Sequence, residues 1–287
     1  MLVRFRYPDN SSSWGWQSSQ GVQDLRAADP SLPTSTREAI EHWATLAPQI
    51  AKLCQSTPAI NAPIELLSPI DRPGKILCIG LNYRDHAIET NAPIPDEPIV
   101  FNKSINTLSG PTAPIVIPPN SHEVDFEAEL VVVVGKRLSR ATESQASDAI
   151  FGYTAGNDVS ARDWQKGKPG KQWFLGKSFD TFAPIGPAIA LKSEIPNPSN
   201  LRVVSRLNGM TMQNSSTAEL IFQPSMLLSY LSQVVTLEPG DLLFTGTPAG
   251  VGVARSPQVF LKPGDRIEVE IESIGTLSNP CIAPPPL

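Results

Sequence analysis

The chain has 287 residues, of which 40% are hydrophobic and 18% are charged, so it is long enough and apolar enough to bury a sizeable core. Its net charge of −5 and its pI of about 5.3 exclude the basic surface that nucleic acids and anionic membranes attract. No apolar stretch approaches the roughly 20 residues that span a bilayer, and the first residues lack a signal-peptide core. These features predict a cytoplasmic protein with no nucleic-acid or membrane partner.

The first 72 residues are predicted to form a small N-terminal domain, followed by a larger domain over residues 73–287. Met1–Tyr7 alternates like an edge strand, and Ser35 is placed to cap a helix that extends to about Leu53. The stretch Ser56–Pro73 contains four prolines, which is typical of a linker.

The larger domain is predicted to contain many short strands. Apolar segments bounded by Gly, Pro or Asn indicate strands at 76–79, 99–101, 115–117, 126–134, 151–154, 188–191, 201–207, 242–244 and 267–271. A fold of the α+β class, rich in β-structure and built on a rolled or closed mixed sheet, is therefore expected.

Two helices and one hairpin have local signals in the larger domain. Thr142 begins a capping-box sequence and predicts a helix to Ile150, and Pro224 stands at the first turn of a helix predicted to reach Val235. Asn208-Gly209 is a strong signal for a two-residue hairpin turn.

Two acidic residues precede a run of four valines. Glu127 and Glu129 lie two apart on the predicted strand, so their side chains share one face. Such acids repel each other unless they are exposed to solvent or neutralised by a cation. A solvated face is one interpretation, but Val131–Val134 indicates a strand buried on both faces and favours a cation.

Asp158 is a third candidate ligand. It follows the strand predicted at 151–154, where the end of a strand can present a side chain to a pocket. Carboxylate oxygens suit Mg²⁺, Mn²⁺ or Ca²⁺ rather than Zn²⁺. Asp158 as the cap of a turn is an equally compatible interpretation.

Five segments, in this order, resemble the fumarylacetoacetate hydrolase superfamily. They are residues 80–86, 124–130, 157–163, 177–182 and 246–252. Each segment alone is a weak signal, but the ordered set is strong. Residues 163–165 and 170–173 are most similar to the subgroup of fumarylacetoacetate hydrolase domain-containing proteins.

This resemblance implies mixed strands rolled around a central site, usually in a homodimer. It also implies that Glu127, Glu129 and Asp158 hold Mg²⁺, with Mn²⁺ or Ca²⁺ as other candidates.

His86 and Glu89 are predicted to form a catalytic pair. On a helical turn, residues three apart share a face, and a carboxylate beside an imidazole orients it and raises its basicity. The resemblance implies that this segment covers the metal and that the pair activates water or moves a proton. The alternative is that His86 packs in the fold or caps a turn.

Three further residues have roles implied by the resemblance, and Thr247 is a fourth candidate because of the turn in which it lies. Lys177 matches the active-site lysine of the family and would stabilise an enolate, while Arg162 and Gln165 match positions that contact substrate oxygens. Arg162 could instead pair with Asp158 or Asp163 as a structural contact. Thr247 lies in a Gly-rich turn and could offer its hydroxyl and backbone N–H groups to a carboxylate.

The predicted function is that of a divalent-metal-dependent enzyme acting on a small 2-oxo or β-dicarbonyl acid through a metal-stabilised enolate. Oxaloacetate tautomerisation or decarboxylation and acylpyruvate C–C hydrolysis would share that enolate. A biosynthetic tailoring enzyme for a larger β-dicarbonyl compound is an alternative. Another is a non-catalytic protein that binds carboxylates through the metal, although such a protein needs no His–Glu pair.

Overall fold

The computed structural model describes residues 1–285 and consists mainly of strands with short helices between them. The strands found there, β1 to β18 in chain order, are Leu2–Arg6, Ser12–Ser18, Gly21–Gln23, Glu65–Leu66, Ile76–Gly80, Ile99–Lys103, Leu108–Ser109, Ile115–Val116, Val124–Asp125, Ala128–Val134, Ile150–Asn157, Ser160–Ala161, Ala183–Leu191, Arg202–Leu207, Met210–Ser216, Leu242–Phe244, Arg266–Ile271 and Gly275–Ile282.

Helices are short apart from one near the N-terminus. Over the same residues, helices α1 to α8 are Leu25–Ala28, Thr36–Glu41, Trp43–Ser56, Arg84–Glu89, Glu143–Asp148, Arg162–Gln165, Trp173–Lys177 and Pro224–Ser232. Single 3₁₀ turns are Ile105–Thr107, Lys192–Glu194, Thr217–Glu219 and Gly252–Ala254. The prediction of a β-rich α+β fold with mixed strands is confirmed.

The large central sheet combines antiparallel and parallel pairs. Its main path runs β3-β2-β1-β13-β11-β10-β16-β5-β6, in which β16 and β5 are parallel and the other neighbours are antiparallel. A five-stranded sheet has the order β15-β14-β17-β18-β8, and β9 pairs with β12. The hairpin predicted at Asn208-Gly209 joins β14 to β15, and both turn residues have positive φ.

Strand β10 is buried on both faces, as its valine run predicts. Val132 and Leu130 pack into a core that contains residues of the five-stranded sheet and of helices α5 and α8. Val131 and Val133 pack into a second core on the opposite face, together with residues of the first 50 positions. The two cores hold the acidic start of β10 in place.

The N-terminal segment is part of the same sheet as the larger predicted domain. Leu2 of β1 lies opposite Ile189 of β13, and Leu2, Trp14 and Ile40 share the second core. The prediction that Met1–Tyr7 forms an edge strand is wrong in one respect, because β1 is hydrogen-bonded on both sides. Alternation reports which face is buried and carries no information about the two edges.

Several predicted boundaries differ from the structure. The helix predicted after Ser35 is two helices, α2 and α3, separated at His42. The Ser35 cap forms, as does the Thr142–Gln145 capping box. Strand β13 begins at Ala183, five residues earlier than predicted, because the prolines and glycine at its start disguise a strand.

Candidate active site

The three predicted carboxylates meet where β10 begins and β11 ends. Antiparallel pairing places Ala128 opposite Asn157, so Asp158, just after β11, lies beside Glu127, just before β10. The Asp158 N–H donates to the Glu127 carbonyl at 2.9 Å. One carboxylate oxygen from each of Glu127, Glu129 and Asp158 lies within 4.8 Å of the others, and all three residues are buried.

Two buried lysines contact these carboxylates. The Lys177 ammonium donates to Glu127 Oε2 at 2.7 Å and to Asp158 Oδ2 at 2.8 Å. The Lys103 ammonium donates to Asp158 Oδ1 at 2.5 Å and to the Val159 carbonyl at 3.0 Å. Sequence reasoning predicted Lys177 but missed Lys103, whose one signal is a charged residue at the end of an apolar strand.

Arg162 also forms ion pairs with buried carboxylates. Its guanidinium donates to Glu127 Oε1 at 2.6 Å, to Asp125 Oδ2 at 2.9 Å and to Gln165 Oε1 at 2.9 Å. Burial alone would lower the pKa of Arg162, but the ion pairs with Glu127 and Asp125 outweigh burial and raise it. The alternative pairing of Arg162 with Asp158 or Asp163 does not occur among the described residues.

Asp125 links Arg162 to the Gly-rich turn. Its carboxylate accepts from the Gly252 N–H at 2.7 Å and from the Val253 N–H at 3.1 Å, as well as from Arg162. Its place on the acidic segment was visible in the sequence, but its role as an anchor depends on a turn about 127 residues further along the chain.

Glu129 differs from the other acids because it has no ion pair within residues 1–285. Its one hydrogen bond is from the Gly246 N–H, at 2.7 Å. Burial, and then repulsion from Asp158 and Glu127, raise the pKa of Glu129 well above its usual range. Burial also acts to raise the pKa of Glu127, but Lys177 and Arg162 lower it below its usual range.

The charge of the cluster leaves room for a cation. Asp125, Glu127, Glu129 and Asp158 are four buried carboxylates, and within residues 1–285 the buried cations beside them are three, Lys103, Arg162 and Lys177. The donor set of Glu127, Glu129 and Asp158 is made only of oxygen, which is typical of hard divalent ions. A divalent metal ion therefore fits this site and would turn its net charge from negative to positive.

His86 and Glu89 form the predicted pair on helix α4. His86 Nδ1 lies 2.9 Å from Glu89 Oε2, and Glu89 Oε1 accepts from the Gly250 N–H at 2.8 Å. Asp85 accepts from the His86 N–H at 2.7 Å and from the Ser215 hydroxyl at 2.6 Å. Helix α4 is therefore tied to the Gly-rich turn and to β15.

Thr247 lines the cavity beside the carboxylates, and its hydroxyl already forms two hydrogen bonds. It donates to the Ala128 carbonyl at 3.0 Å and accepts from Gln213 Nε2 at 2.8 Å. The Gln213 side chain also accepts from the Ala128 N–H at 3.0 Å. Gln213 thus holds Thr247 against the start of β10, a contact for which the sequence offered no signal.

A cavity of about 350 Å³ opens onto the cluster. It is lined by the predicted site residues His86, Glu127, Arg162, Gln165, Lys177 and Thr247. The remaining walls are Ile79, Gly80, Leu81, Thr90, Ala92, Ile99, Phe101, Lys166 and Trp173. A larger cavity of about 520 Å³ lies elsewhere, between helix α3 and β11, and none of the predicted site residues lines it.

The comparison with known proteins assigns the class that this fold and this site define. Residues 75–282 match the family described as fumarylacetoacetate (FAA) hydrolase C-terminal. The chain belongs to the fumarylacetoacetate hydrolase family. The predictions of this family, of its fold and of an enzyme are therefore confirmed.

Individual relatives cover nearly the whole chain. The chain is 47% identical to the mitochondrial oxaloacetate tautomerase fahd2 of Xenopus laevis, over 98% of this chain and 90% of that protein. It is 44% identical to the mitochondrial oxaloacetate tautomerase FAHD2A of Homo sapiens, over 97% and 90%.

Solved structures agree with the fold. The fumarylacetoacetate hydrolase of Exiguobacterium antarcticum superposes with a TM-score of 0.85 at 32% identity, covering 99% of each chain. The maleylpyruvate hydrolase of Sphingobium sp. SYK-6, in complex with manganese and pyruvate, has a TM-score of 0.83 at 26% identity, again covering 99% of each chain.

No helix within residues 1–285 combines the length and the apolar character needed to cross a bilayer. Several relatives carry the word mitochondrial in their names, and the cytoplasmic location remains a prediction for this chain.

Proposed function

We propose that this protein is a Mg²⁺-dependent oxaloacetate tautomerase, which interconverts the enol and keto forms of a small 2-oxo diacid. The observation that carries this proposal is one cavity lined by His86, which is paired with Glu89, and by Lys177, which is bonded to the buried carboxylates Glu127 and Asp158. The names of the relatives at 44–47% identity support the choice of substrate.

Glu127, Glu129 and Asp158 would hold the ion, which when bound acts as a Lewis acid towards a chelated carboxylate and keto oxygen. Lys103 and Arg162 orient two of these carboxylates through hydrogen bonds to Asp158 and Glu127. The ligands are thereby held in position before a substrate arrives.

Lys177 would stabilise the negative charge that develops on the substrate oxygen at C2. Its ammonium is buried, contacts Glu127 and Asp158, and lies 5.0 Å from the centre of the Phe101 ring. In a site that excludes water, a fixed cation stabilises developing charge more than it would in bulk solvent.

His86 moves the proton at C3 of the substrate. Glu89 accepts from His86 Nδ1, which leaves Nε2 as the nitrogen that takes up or returns a proton. Glu89 is itself held by the Gly250 N–H, so the imidazole keeps its orientation through the cycle. A proton removed from C3 and returned to the oxygen at C2 converts the keto form to the enol form without loss of atoms.

The same residues could serve C–C hydrolysis if His86 activated a water molecule instead. The solved structure of a maleylpyruvate hydrolase with the same fold keeps this second candidate open. The names of the two relatives given above favour tautomerisation over the decarboxylation of oxaloacetate and over the tailoring of a larger β-dicarbonyl compound.

A homodimer is part of the proposal. Helix α7 and the edge strand β6 expose the apolar residues Phe174, Leu175, Ile99 and Val100 beside the cavity. Exposed apolar residues grouped in this way are typical of an interface. Light scattering should give a mass twice that of the 31.0 kDa chain.

The test is turnover by the purified protein. Enol–keto conversion of oxaloacetate and cleavage of acylpyruvates are measured with Mg²⁺, Mn²⁺, Ca²⁺ or a chelator, and NMR identifies the products. Glu127→Gln should abolish metal dependence and lower turnover at least about 100-fold, whereas Glu38→Gln, at an exposed position, should change nothing.

His86→Ala separates an enzyme from a binding protein. Turnover should be lost while Mg²⁺-dependent binding of oxalate persists, because the His86 side chain is bonded to Glu89 and not to any of the three proposed metal ligands. If the wild-type protein binds oxalate with Mg²⁺ but converts no β-dicarbonyl acid, the binding-protein alternative replaces the proposal.

A further inference from the structure

Lys166 stands apart from the other cations that line the cavity. Arg162 is paired with Asp125 and Glu127, and Lys177 with Glu127 and Asp158. Lys166 lines the same cavity, yet within residues 1–285 its ammonium is not part of any ion pair. Its charge is therefore available to a ligand.

The backbone places Lys166 one helical turn beyond Arg162. The Lys166 N–H donates to the Arg162 carbonyl at 2.9 Å, which completes the last turn of helix α6. Residues four apart on a helix lie on one face, about 5–6 Å apart at Cβ. Arg162 is buried against Glu127, whereas Lys166 is exposed, so Lys166 lies at the outer end of the cavity.

The surroundings of Lys166 favour an anion. Partial desolvation against the cavity wall, and then the positive charge of Arg162, lower the pKa of Lys166. Ile99, Ala92 and Trp173 also line this cavity and carry no charge. The carboxylates of Glu127 and Asp125 act on Lys166 as well, but both are ion-paired with Arg162. A bound carboxylate would therefore be the first ion-pair partner of Lys166 among the groups described in residues 1–285.

The charge balance of the site leads to the same class of ligand. A divalent ion would leave the buried cluster with one positive charge, which matches the single carboxylate at the 2-oxo end of a substrate. A second carboxylate on the same molecule needs another cation. We propose that Lys166 binds the distal carboxylate of the substrate and so selects 2-oxo diacids over 2-oxo monoacids.

This inference rests on the proposed function, because it assumes that the 2-oxo end of the ligand lies against the carboxylate cluster. Lys166 is thus a specificity-determining residue that contacts the substrate away from the reacting carbon.

The experiment compares two stable acids of equal length on the full-length protein with saturating Mg²⁺. Calorimetry gives the affinities for 2-oxoglutarate, which has a distal carboxylate, and for 2-oxopentanoate, which has none. In Lys166→Met the preference for the diacid should fall about tenfold, and Lys166→Arg should retain most of it. The affinity for oxalate, which lacks a distal group, should stay within about twofold of wild type.

Lys168→Met is the matched control. Lys168 lies two residues away, and its ammonium sits 4.8 Å from the centre of the Trp164 ring, outside the cavity lining. An unchanged diacid preference in Lys166→Met, with oxalate still bound, would overturn the inference and leave the proposed function intact. If Lys166→Met loses the preference for the diacid but the wild-type protein converts no oxo-acid, the proposed function is overturned and the recognition of diacids by Lys166 stands.

Discussion

Glu129 is the residue whose environment most directly demands a cation. It is buried, it has one hydrogen bond from the Gly246 N–H, and no ion pair within residues 1–285 balances it. A buried charge without a partner costs several kcal/mol unless it is protonated or neutralised. The metal-free protein is therefore expected to be less stable than the metal-bound form.

We expect Glu129→Gln to remove this penalty. Without metal, the free energy of unfolding of the variant should exceed that of wild type by about 1–2 kcal/mol, so the variant should unfold at a higher denaturant concentration. Added Mg²⁺ should no longer stabilise it. Equilibrium denaturation with and without Mg²⁺ measures both effects. A variant that Mg²⁺ stabilises as strongly as wild type would show that Glu129 is not a ligand.

The pH dependence of the metal-free protein follows from the same group. Because the folded-state pKa of Glu129 is raised by burial and by Asp158 and Glu127, its contribution to stability is fully present below its unfolded pKa of about 4.3 and is lost as pH rises through the folded pKa. Glu129→Gln should flatten this part of the stability profile.

Lys103 and Asp125 illustrate what the sequence could not reveal at the level of single residues. Glu127, Glu129 and Asp158 were predicted from acids beside strands and from the family motifs. Lys103 lies 55 residues from its partner Asp158, and Asp125 lies 127 residues from the Gly252 N–H. No local pattern encodes contacts over such separations.

At the scale of elements, the Gly-rich turn at residues 246–252, after β16, approaches neighbouring backbone so closely that only glycine fits. Gly250 has a φ of +105°, and a Cβ there would lie 2.2 Å from the Met212 carbonyl oxygen. Its N–H donates to Glu89, so the turn also positions the proposed catalytic pair, His86 and Glu89, on helix α4.

Gly250→Ala is expected to destabilise the protein by more than about 3 kcal/mol and to lower turnover. Gly209→Ala is its matched control. Gly209 also has a positive φ, of +83°, but nothing lies within 4 Å of an added Cβ, so only the backbone conformation is penalised, at about 1 kcal/mol. Urea denaturation of both variants compares the two costs. Equal losses of stability would mean that the contact with Met212 relaxes freely.

Elements with local signals were predicted well, and elements shaped by partners were not. The Ser35 and Thr142 caps form because a side chain bonds to a backbone N–H two or three residues away. The His86–Glu89 contact forms for the same reason of short separation. The start of β13 and the strand β18 contain prolines, which disfavour a strand locally. Both segments are strands nevertheless, because they pair with neighbouring strands.

At the scale of the whole molecule, the N-terminal segment and the larger predicted domain share one sheet. Besides the pairing of β1 with β13, the second core mixes Leu2, Trp14 and Ile40 with Ile76 and Phe244.

We expect residues 73–287 alone to expose the apolar face that the first 72 residues cover. The shortened chain should aggregate or unfold at a clearly lower denaturant concentration than the full chain. Soluble yield and denaturation midpoint measure this, and equal midpoints would show that the first 72 residues contribute nothing to stability.

The sequence by itself determined the β-rich class, the family and the three carboxylates. Those depend on residue type, on alternation along a strand and on motifs in a fixed order. Only the tertiary structure decided that Lys103, Asp125 and Gln213 anchor the site and that Arg162 pairs with Glu127. It also decided that Lys166 lines the cavity with no ion pair among residues 1–285. The physical reason is that charged side chains are neutralised by groups that are close in space but far apart along the chain. No local sequence pattern reports such contacts.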